Sequence, residues 1–362
     1  MDAQPPSGAD REVLILNLDV FAKKNVTQIH ALEAEGYAFT IASNDLRSDS
    51  RAIFDREGFA RSRLILMSGL FGRLATSWKL LRAKRYNHVE FYVVGHLAIP
   101  YLLMVKLLRQ RMAVVERGDI GIYSHYNPVL RAGMRLAYKL ADLIIYKEVY
   151  MAEPLKRFTS APLVMVPNCV AERPVNRERA RTLDFLWVNR TIPQRRPEWA
   201  AAAMRDPRLS DRRLVMLGME TRASLEPHIA VRQERLLAVV GPNITLEGFV
   251  DPEAYYPAAR FFCLPSSIVF GNNSLLEAMA SGVVPVVTEA PGVERIVEDG
   301  VNGIVTAFDE GSYREGMARA AALSEEEWLA MSRNAVETVR QKYSVEAWTR
   351  SMADVYARVK AA

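Results

Sequence analysis

The sequence has few cysteines, no long apolar run and no export signal. Only two cysteines, Cys169 and Cys263, occur among 362 residues, too few for a disulfide framework or a thiolate metal site. The longest apolar run, residues 91–105, is interrupted by glycine, histidine and proline and is shorter than the roughly 20 residues that span a bilayer. Acidic residues and prolines stand where a signal peptide has a basic start. We therefore expect a cytoplasmic protein, soluble or peripheral on the inner face of a membrane.

Positive charge is concentrated in one segment. The net charge is +5, but residues 61–139 hold fourteen Lys and Arg against three acids, Glu90, Glu116 and Asp119, an excess of eleven positive charges. Such a block attracts anionic lipid, a phosphorylated acceptor or nucleic acid. No DNA- or RNA-binding motif accompanies it, so nucleic acid is the least favoured partner.

Residues 71–85, inside this block, have the pattern of an amphipathic helix. Phe71, Leu74, Trp78 and Leu81 recur at helical spacing, with basic residues on the flanks. This pattern is typical of a helix that lies on an anionic membrane surface, and equally of a packed surface helix with a solvated basic side. The sequence leaves both interpretations open.

Apolar strands alternate with helical segments along the chain, which predicts parallel sheets covered by helices on both faces. Residues 167–181 lose the apolar pattern and gain proline and charge, so they are the best linker candidate. We predict an α/β fold of two doubly wound Rossmann-like domains, 1–170 and 171–342, followed by a helix within 343–362. The strands' carboxyl ends would face a central cleft, the usual ligand position in such folds.

The most informative segment runs from residue 261 to 305. A buried strand ends at Pro265, and a polar loop at 271–273 leads into a helix that carries Glu277 in its predicted first turn. A helix N-terminus offers unpaired N–H groups and a partial positive charge, which suit phosphate, and Glu277 is placed to accept hydrogen bonds from ribose hydroxyls. The turn at 290–294 is predicted to open a second helix of this kind. Each feature taken alone is also ordinary helix capping.

The run LLEAMASGVVPVV, followed by APGVERIVEDGVNGIV, resembles the signature C-terminal block of the retaining GT-B glycosyltransferases of family four, the glycosyl transferases group 1. Three weaker motifs agree in order: PNCV resembles the turn that closes the first domain, FLWVNRTIPQRRPEWA the opening of the second, and NITLEGFV a strand on the nucleotide side. The last helix resembles one that returns to the first domain. The resemblance implies the GT-B fold and a hexosyltransferase that moves a sugar from a nucleotide-diphosphate sugar to a glycan or lipid-linked acceptor, of the cell-surface polysaccharide or lipopolysaccharide type.

The resemblance also assigns a donor site. A basic pair that holds the donor diphosphate corresponds to Arg190 and Arg195, and the ribose-binding second glutamate of a paired motif corresponds to Glu277. Val269 stands where the first glutamate would contact the donor sugar, which is the largest departure from the family pattern. The remaining donor-binding candidates are Phe249, Gly271, Asn272, Asn273, Ser274, Leu275, Gly292 and Val293.

Val269 has three explanations. Asn272 or Asn273 takes over the contact with the sugar hydroxyls, or the donor is a deoxy sugar that needs no carboxylate there. The third explanation is a catalytically degenerate binding or scaffold subunit. The first two are favoured, because loss of catalysis gives no reason to retain the phosphate-binding residues.

The first domain supplies weaker candidates. The family commonly has a histidine near the end of a central strand, but the matching region, AVVERGDIG, has none. We select His96 over His125 as the catalytic candidate. Lys23 and Lys24 are candidates for approaching a phosphate from the first loop, and the acceptor-side candidates are Glu116, Arg117 and Asp119.

The resemblance implies catalysis without a metal or another cofactor. The sequence has no D-x-D cluster, and its five histidines lack ligand spacing. Arg190, Arg195 and helix N-termini would then stabilise the departing diphosphate.

Overall fold

The structure is a computed structural model that describes residues 11–18, 23–43, 48–92, 95–173, 175, 181–219 and 227–361. The chain divides into two compact units, Met1–Pro167 with Trp348–Ala362, and Asn168–Ala347. Within the described residues, no helix is long and apolar enough to cross a membrane. Parts of two predicted features lie outside the described residues: positions 174 and 176–180 of the linker, and positions 19–22 of the first loop together with the side chains of Lys23 and Lys24.

The first unit is built on a seven-stranded parallel sheet of order β3-β2-β1-β4-β5-β6-β7. Its strands are β1 Glu12–Leu18, β2 Ala38–Ser43, β3 Arg63–Leu66, β4 His88–Phe91, β5 Met112–Val115, β6 Leu143–Tyr146 and β7 Leu163–Met165. Its helices are α1 Lys23–Ala34, α2 Ser48–Glu57, α3 Leu70–Ala83, α4 Ile99–Leu107, α5 Pro128–Leu140, α6 Ala152–Lys156 and most of α12, Val345–Ala361.

Both faces of this sheet are packed. On one face Leu14, Val89 and Val114 form a buried core with α3, α4 and α5. On the other face Tyr356 of α12 lies against Tyr37, with ring centroids 5.1 Å apart, and against His88, at 4.5 Å. The last helix of the chain therefore completes the core of the first unit.

The second unit is a six-stranded parallel sheet of order β10-β9-β8-β11-β12-β13. Its strands are β8 Leu183–Val188, β9 Leu214–Leu217, β10 Ile244–Leu246, β11 Ala259–Leu264, β12 Val284–Thr288 and β13 Ile304–Thr306. Its helices are α7 Pro197–Ala203, α8 Pro227–Leu237, α9 Asn273–Ala280, α10 Glu310–Ala321 and α11 Glu325–Lys342.

The last three residues of the PNCV turn, Asn168–Val170, lie in the second unit. Asn168 Nδ2 donates to the Gly271 carbonyl at 2.9 Å, and Val170 forms a parallel bridge with Ser344. The chain therefore passes between the units at 167/168 and 347/348, whereas the sequence placed these boundaries at 170/171 and 342/343.

The predicted fold class, two doubly wound parallel sheets, is confirmed. In each sheet the strand order reverses between two neighbouring strands, β1 and β4 in the first and β8 and β11 in the second. The loops after such strands diverge and leave a crevice at the carboxyl edge, where open α/β folds bind ligands. In the second unit these loops are 189–196 and 265–272.

Candidate functional site

The loops after β8 and β11 form one connected surface. Asn272 Nδ2 donates to Asn189 Oδ1 at 3.1 Å, and the Ser267 N–H donates to the Gln194 carbonyl at 3.1 Å. These contacts join residues more than 70 positions apart in the chain. The carboxyl edge of the second sheet therefore presents one continuous surface of main-chain and polar side-chain groups.

Glycine at position 218 allows the loop after β9 to join this edge. Gly218 has φ +96°, and a Cβ there would lie 2.2 Å from the Asn189 carbonyl oxygen, so no larger residue fits. The Gly218 N–H donates to the Gly248 carbonyl at 2.9 Å. This contact brings the end of β10 to the same edge, where the predicted donor-binding residue Phe249 is 67% exposed.

The N-terminus of α9 opens onto this surface. Asn272 caps the helix, since its Oδ1 accepts from the Leu275 N–H at 3.0 Å, and its carbonyl accepts from the Leu276 N–H at 3.2 Å. The N–H groups of Asn273 and Ser274 are then the first-turn donors without an intrahelical partner. Such donors, at the positive end of a helix, favour a phosphate.

The two asparagines proposed to replace the missing carboxylate differ in availability. Asn272 is buried, and both ends of its amide bond other groups of the protein. Asn273 is exposed. Of the two, only Asn273 presents its side chain to a ligand at this edge.

The predicted basic pair lies at this edge with two different environments. Arg190 is exposed just beyond β8. Arg195 is half-buried, and its Nη1 donates to Ser266 Oγ at 3.1 Å and to the Ile268 carbonyl. Arg195 therefore holds the β11 loop in position, while Arg190 has its guanidinium at the surface.

Arg196 is a third arginine at this edge that sequence reasoning missed. Its backbone is left-handed, with φ 41°, and its guanidinium lies over the Trp199 ring at 5.7 Å and the Phe308 ring at 5.9 Å. The two adjacent arginines in QRRP could have indicated it, but the spacing of the family's basic pair selected only Arg195.

Glu277 is the fifth residue of α9 and lies in its second turn, not in the first as predicted. Its Oε2 accepts from the hydroxyl of the fully buried Tyr256 at 2.9 Å. Arg173 lies 5.1 Å from the centroid of the Tyr256 ring and makes two 2.6 Å bonds to Glu253. Burial raises the pKa of Glu277, whereas Tyr256 and Arg173 lower it. The carboxylate is thus half-buried with one oxygen held by the protein.

Tyr256 and Arg173 were not predicted. Neither stands in a recognisable motif, and each reaches Glu277 only through the fold. Their arrangement holds one carboxylate oxygen of Glu277 and supports its negative charge with a nearby cation.

Val269 is fully buried, and its carbonyl accepts from the Asn272 N–H at 3.3 Å. The next residue, Phe270, is also buried and packs edge-on against Tyr343, with ring centroids 6.2 Å apart. The position of the family's first glutamate is therefore occupied by an apolar side chain that packs in the protein interior.

The predicted second helix start, at 290–294, is wrong. Only a single 3₁₀ turn, Val293–Arg295, forms there, and the Val293 N–H already donates to the Ala290 carbonyl at 3.0 Å. The chain turns away because Asn302 Oδ1 accepts from the Glu298 N–H at 2.7 Å. Gly292 has φ 87°, so it serves the turn, and this segment supplies no helix N-terminus for an anion.

Glu116, an acceptor-side candidate in the first unit, is buried. Its Oε1 accepts from the N–H groups of Gly118, at 2.7 Å, and Ile120, at 3.2 Å, and its Oε2 accepts from the Tyr138 hydroxyl. The assignment to acceptor contact is therefore corrected: Glu116 organises the loop after β5. It was misread because position in the sequence does not show which residue at a strand end points inward.

The other first-unit candidates are more accessible. Arg117 is exposed, with its guanidinium 5.8 Å from the Tyr92 ring, and Asp119 accepts from the Tyr126 hydroxyl at 2.7 Å. His96 is exposed in a 3₁₀ turn before α4. These residues follow the neighbouring strands β4 and β5, so they share the carboxyl edge of the first sheet.

A buried pair, His88 and Glu90, escaped the sequence analysis. His88 Nε2 lies 3.1 Å from Glu90 Oε1, and both side chains are fully buried. His88 contacts Tyr356 of α12. The pair thus lies beneath α12 on β4. In the described part of the chain, no three His, Cys, Asp or Glu side chains group as metal ligands would.

Each unit is doubly wound around a parallel sheet, and two such units in one chain make up the GT-B fold. Similar solved structures include sucrose-phosphate synthase from Thermosynechococcus elongatus, with 17% identity and a TM-score of 0.71 over 97% of this chain and 99% of that chain. A glycosyltransferase from Rickettsia africae has 12% identity and a TM-score of 0.73 over 96% and 98%. Anabaena HepE, solved with UDP-glucose, has 14% identity and a TM-score of 0.73 over 96% and 99%.

The family comparison agrees with this fold. Residues 182–322 match the model of the family Glycosyl transferases group 1, which confirms the resemblance predicted from the sequence. The matched segment contains Arg190, Arg195, Tyr256 and the whole of α9. Comparison with curated proteins found no match.

Proposed function

We propose that this protein is a metal-independent, retaining glycosyltransferase that moves a hexosyl group from a nucleotide-diphosphate sugar to an acceptor hydroxyl. The observation that carries the proposal is the carboxyl edge of the second sheet, where an open helix N-terminus, Arg190 and Glu277 lie within the segment that matches the group 1 family. The solved complex of the similar Anabaena HepE with UDP-glucose supports the choice of donor class.

Each part of the donor has a chemically matched group. The diphosphate bonds the Asn273 and Ser274 N–H groups and the guanidinium of Arg190, which suits phosphate oxygens in a forked geometry. The ribose hydroxyls donate to Glu277, whose Oε2 is held by Tyr256. The exposed ring of Phe249 offers an apolar surface to the base.

Catalysis in this proposal is electrostatic. As the bond between the sugar carbon and the diphosphate oxygen breaks, negative charge grows on the leaving group. Arg190 and the α9 N-terminus stabilise that charge with donors fixed in place by the fold. No protein nucleophile, metal ion or other cofactor is required.

The acceptor in this proposal is a glycan or lipid-linked molecule for cell-surface polysaccharide or lipopolysaccharide, used on the cytoplasmic face of a membrane. The excess of eleven positive charges over residues 61–139 supports an anionic acceptor surface. Arg117 and His96, exposed beyond β5 and β4, are the accessible acceptor-side candidates.

A second candidate function, a nucleotide-binding subunit without catalysis, is favoured by one observation. Val269 is fully buried where the family has a sugar-binding glutamate. Incubation with a nucleotide sugar decides between the two functions, because release of nucleoside diphosphate, by transfer or hydrolysis, excludes the non-catalytic subunit.

Thermal shift against a panel of nucleotides and nucleotide sugars tests the donor site, because a ligand that binds the folded state raises the melting temperature. We expect one diphosphate nucleotide to raise it, and Arg190→Ala and Glu277→Ala to abolish the rise. Arg235→Ala is the matched control, since Arg235 is exposed in the last turn of α8. No shift with any nucleotide, or equal losses in the control, would contradict the proposed site.

A further inference from the structure

Large apolar side chains lie exposed at the carboxyl edge of the first sheet. They occupy the end of β3, the start of α3, the turn before α4, the loop after β5 and the start of α5. Phe71 is 85% exposed and Leu97 is 73% exposed. We call this set the apolar rim; it consists of Leu66, Leu70, Phe71, Leu97, Ile122 and Val129.

Three neighbouring elements connect the middle of the rim. A Cβ on Gly95, in the turn before α4, would lie 2.5 Å from Leu130 Cδ1, so the first turn of α5 borders this turn. Tyr101, in the first turn of α4, is buried, and Leu74, in the second turn of α3, packs against the same core. The N-terminal parts of α3, α4 and α5 therefore pack in one core, with Leu130 as the contributor from α5.

This arrangement changes the interpretation of residues 71–85. The predicted apolar stripe is divided, because Leu81 is buried and Leu74 packs against the core, while Phe71 is exposed. At the far end of the helix Lys84 pairs with Glu12, and Arg85 Nη1 donates to the Arg109 carbonyl at 3.0 Å. Helix α3 thus presents its N-terminal end, and not its whole length, as an apolar surface.

The segment that carries the rim exposes little negative charge. Two of the three acids in residues 61–139, Glu90 and Glu116, are buried. Among the described residues, no acidic side chain lies within ion-pair distance of Arg73 on α3, Arg117 in the β5 loop or Arg131 on α5. Arg117 is exposed, and the other two are half-buried. A lipid surface with negative headgroups complements apolar side chains surrounded by such cations.

We propose that the apolar rim docks this protein on an anionic lipid bilayer. Phe71 and Leu97 enter the boundary between headgroups and acyl chains, and Arg73, Arg117 and Arg131 contact the lipid phosphates. One further part of this inference rests on the proposed function, namely that the acceptor is an amphiphile presented from the bilayer surface. The docking itself is independent of catalysis.

Vesicle co-sedimentation tests the docking. We expect the purified protein to bind phosphatidylcholine vesicles that contain phosphatidylglycerol. Binding to vesicles of phosphatidylcholine alone should be at least about tenfold weaker, since each basic residue near an anionic surface raises the binding constant about fivefold. Phe71→Ser and Leu97→Ser should each weaken binding about tenfold, because each withdraws a large apolar side chain from the bilayer.

Leu107→Ser is the matched control. Leu107 is 71% exposed and is the last residue of α4. It lies about 15 Å along the helix axis from Leu97, which is in the turn before α4. This variant should bind vesicles as the parent does. Because all three side chains are exposed, circular dichroism and melting temperatures should match the parent.

Three outcomes would overturn the docking proposal. The first is equal binding to vesicles without anionic lipid, and the second is an equal loss of vesicle binding in Leu107→Ser. The third is a concentration-dependent dimer in sedimentation velocity that Leu97→Ser abolishes, since the rim would then be a contact between two copies. Nucleotide thermal shift of the same variants separates the two proposals. Vesicle binding without any nucleotide shift would leave the docking intact and refute the donor site, and the reverse result would refute only the docking.

Discussion

Replacing Tyr256 with phenylalanine tests how the protein holds Glu277. The change removes one hydroxyl from a fully buried side chain and leaves the ring, its packing and its contact with Arg173 in place. The hydroxyl donates to Glu277 Oε2 at 2.9 Å, and a hydrogen bond to a charged group contributes about 1.5–3 kcal/mol. For a unit of 180 residues, Asn168–Ala347, this loss lowers the melting temperature by about 3–12 °C.

The effect of Tyr256→Phe should depend on pH. Burial raises the folded-state pKa of Glu277 above its ordinary value of 4.5, so the ionised carboxylate lowers the stability of the fold as pH rises through that pKa. Tyr256 opposes this rise, and its removal increases the cost of ionisation. The stability difference between variant and parent should be smallest at acid pH, where Glu277 is protonated in both, and should grow towards pH 7.

Urea unfolding from acid to neutral pH measures this difference, with Tyr255→Phe as the matched control on the adjacent, partly exposed tyrosine. The nucleotide identified by thermal shift should bind Tyr256→Phe about tenfold more weakly, because Oε2 is no longer held. A pH-independent loss of stability, or the same loss in Tyr255→Phe, would refute the reasoning.

Two further changes test the packing. Gly218→Ala should destabilise the second unit by about 2 kcal/mol or more, since the new Cβ meets the Asn189 carbonyl oxygen and φ is +96°. Urea unfolding measures this loss of stability. The control Gly311→Ala, where the new Cβ makes ordinary contacts, should be nearly neutral. Tyr356→Ala should cost about 3–5 kcal/mol in the first unit, because a buried aromatic side chain is lost. Limited proteolysis measures this effect, with Arg358→Ala as the control because Arg358 is exposed on the same helix. Equal cleavage of both variants would contradict the assigned packing.

The fold was predictable because most of its central strands, such as β5 and β12, are buried on both faces and read as continuous apolar runs. The run EVLILNL forms β1 over its full length, Glu12–Leu18, and the helix after β11 begins in its predicted polar loop, where Asn272 caps it. These features depend on neighbours in the chain, so local pattern encodes them.

The roles of individual side chains were less predictable, because their partners are distant in the sequence. Arg173 reaches Glu253, 80 residues away, and Asn272 reaches Asn189, 83 residues away. At the end of β5, Glu116 is buried while the next residue, Arg117, is exposed. Nothing in AVVERGDIG distinguishes these two outcomes, since only the packing of Tyr138 and the loop amides decides which side chain turns inward.

The first unit is assembled from both ends of the chain, and this has a consequence for how the protein is made. On the ribosome its seven strands emerge before the second unit, but the helix that covers Tyr37 and His88 emerges only after it. During synthesis of the whole second unit, one face of the first sheet remains without Tyr356. We therefore expect nascent chains and products truncated before Val345 to expose apolar surface that chaperones and proteases bind.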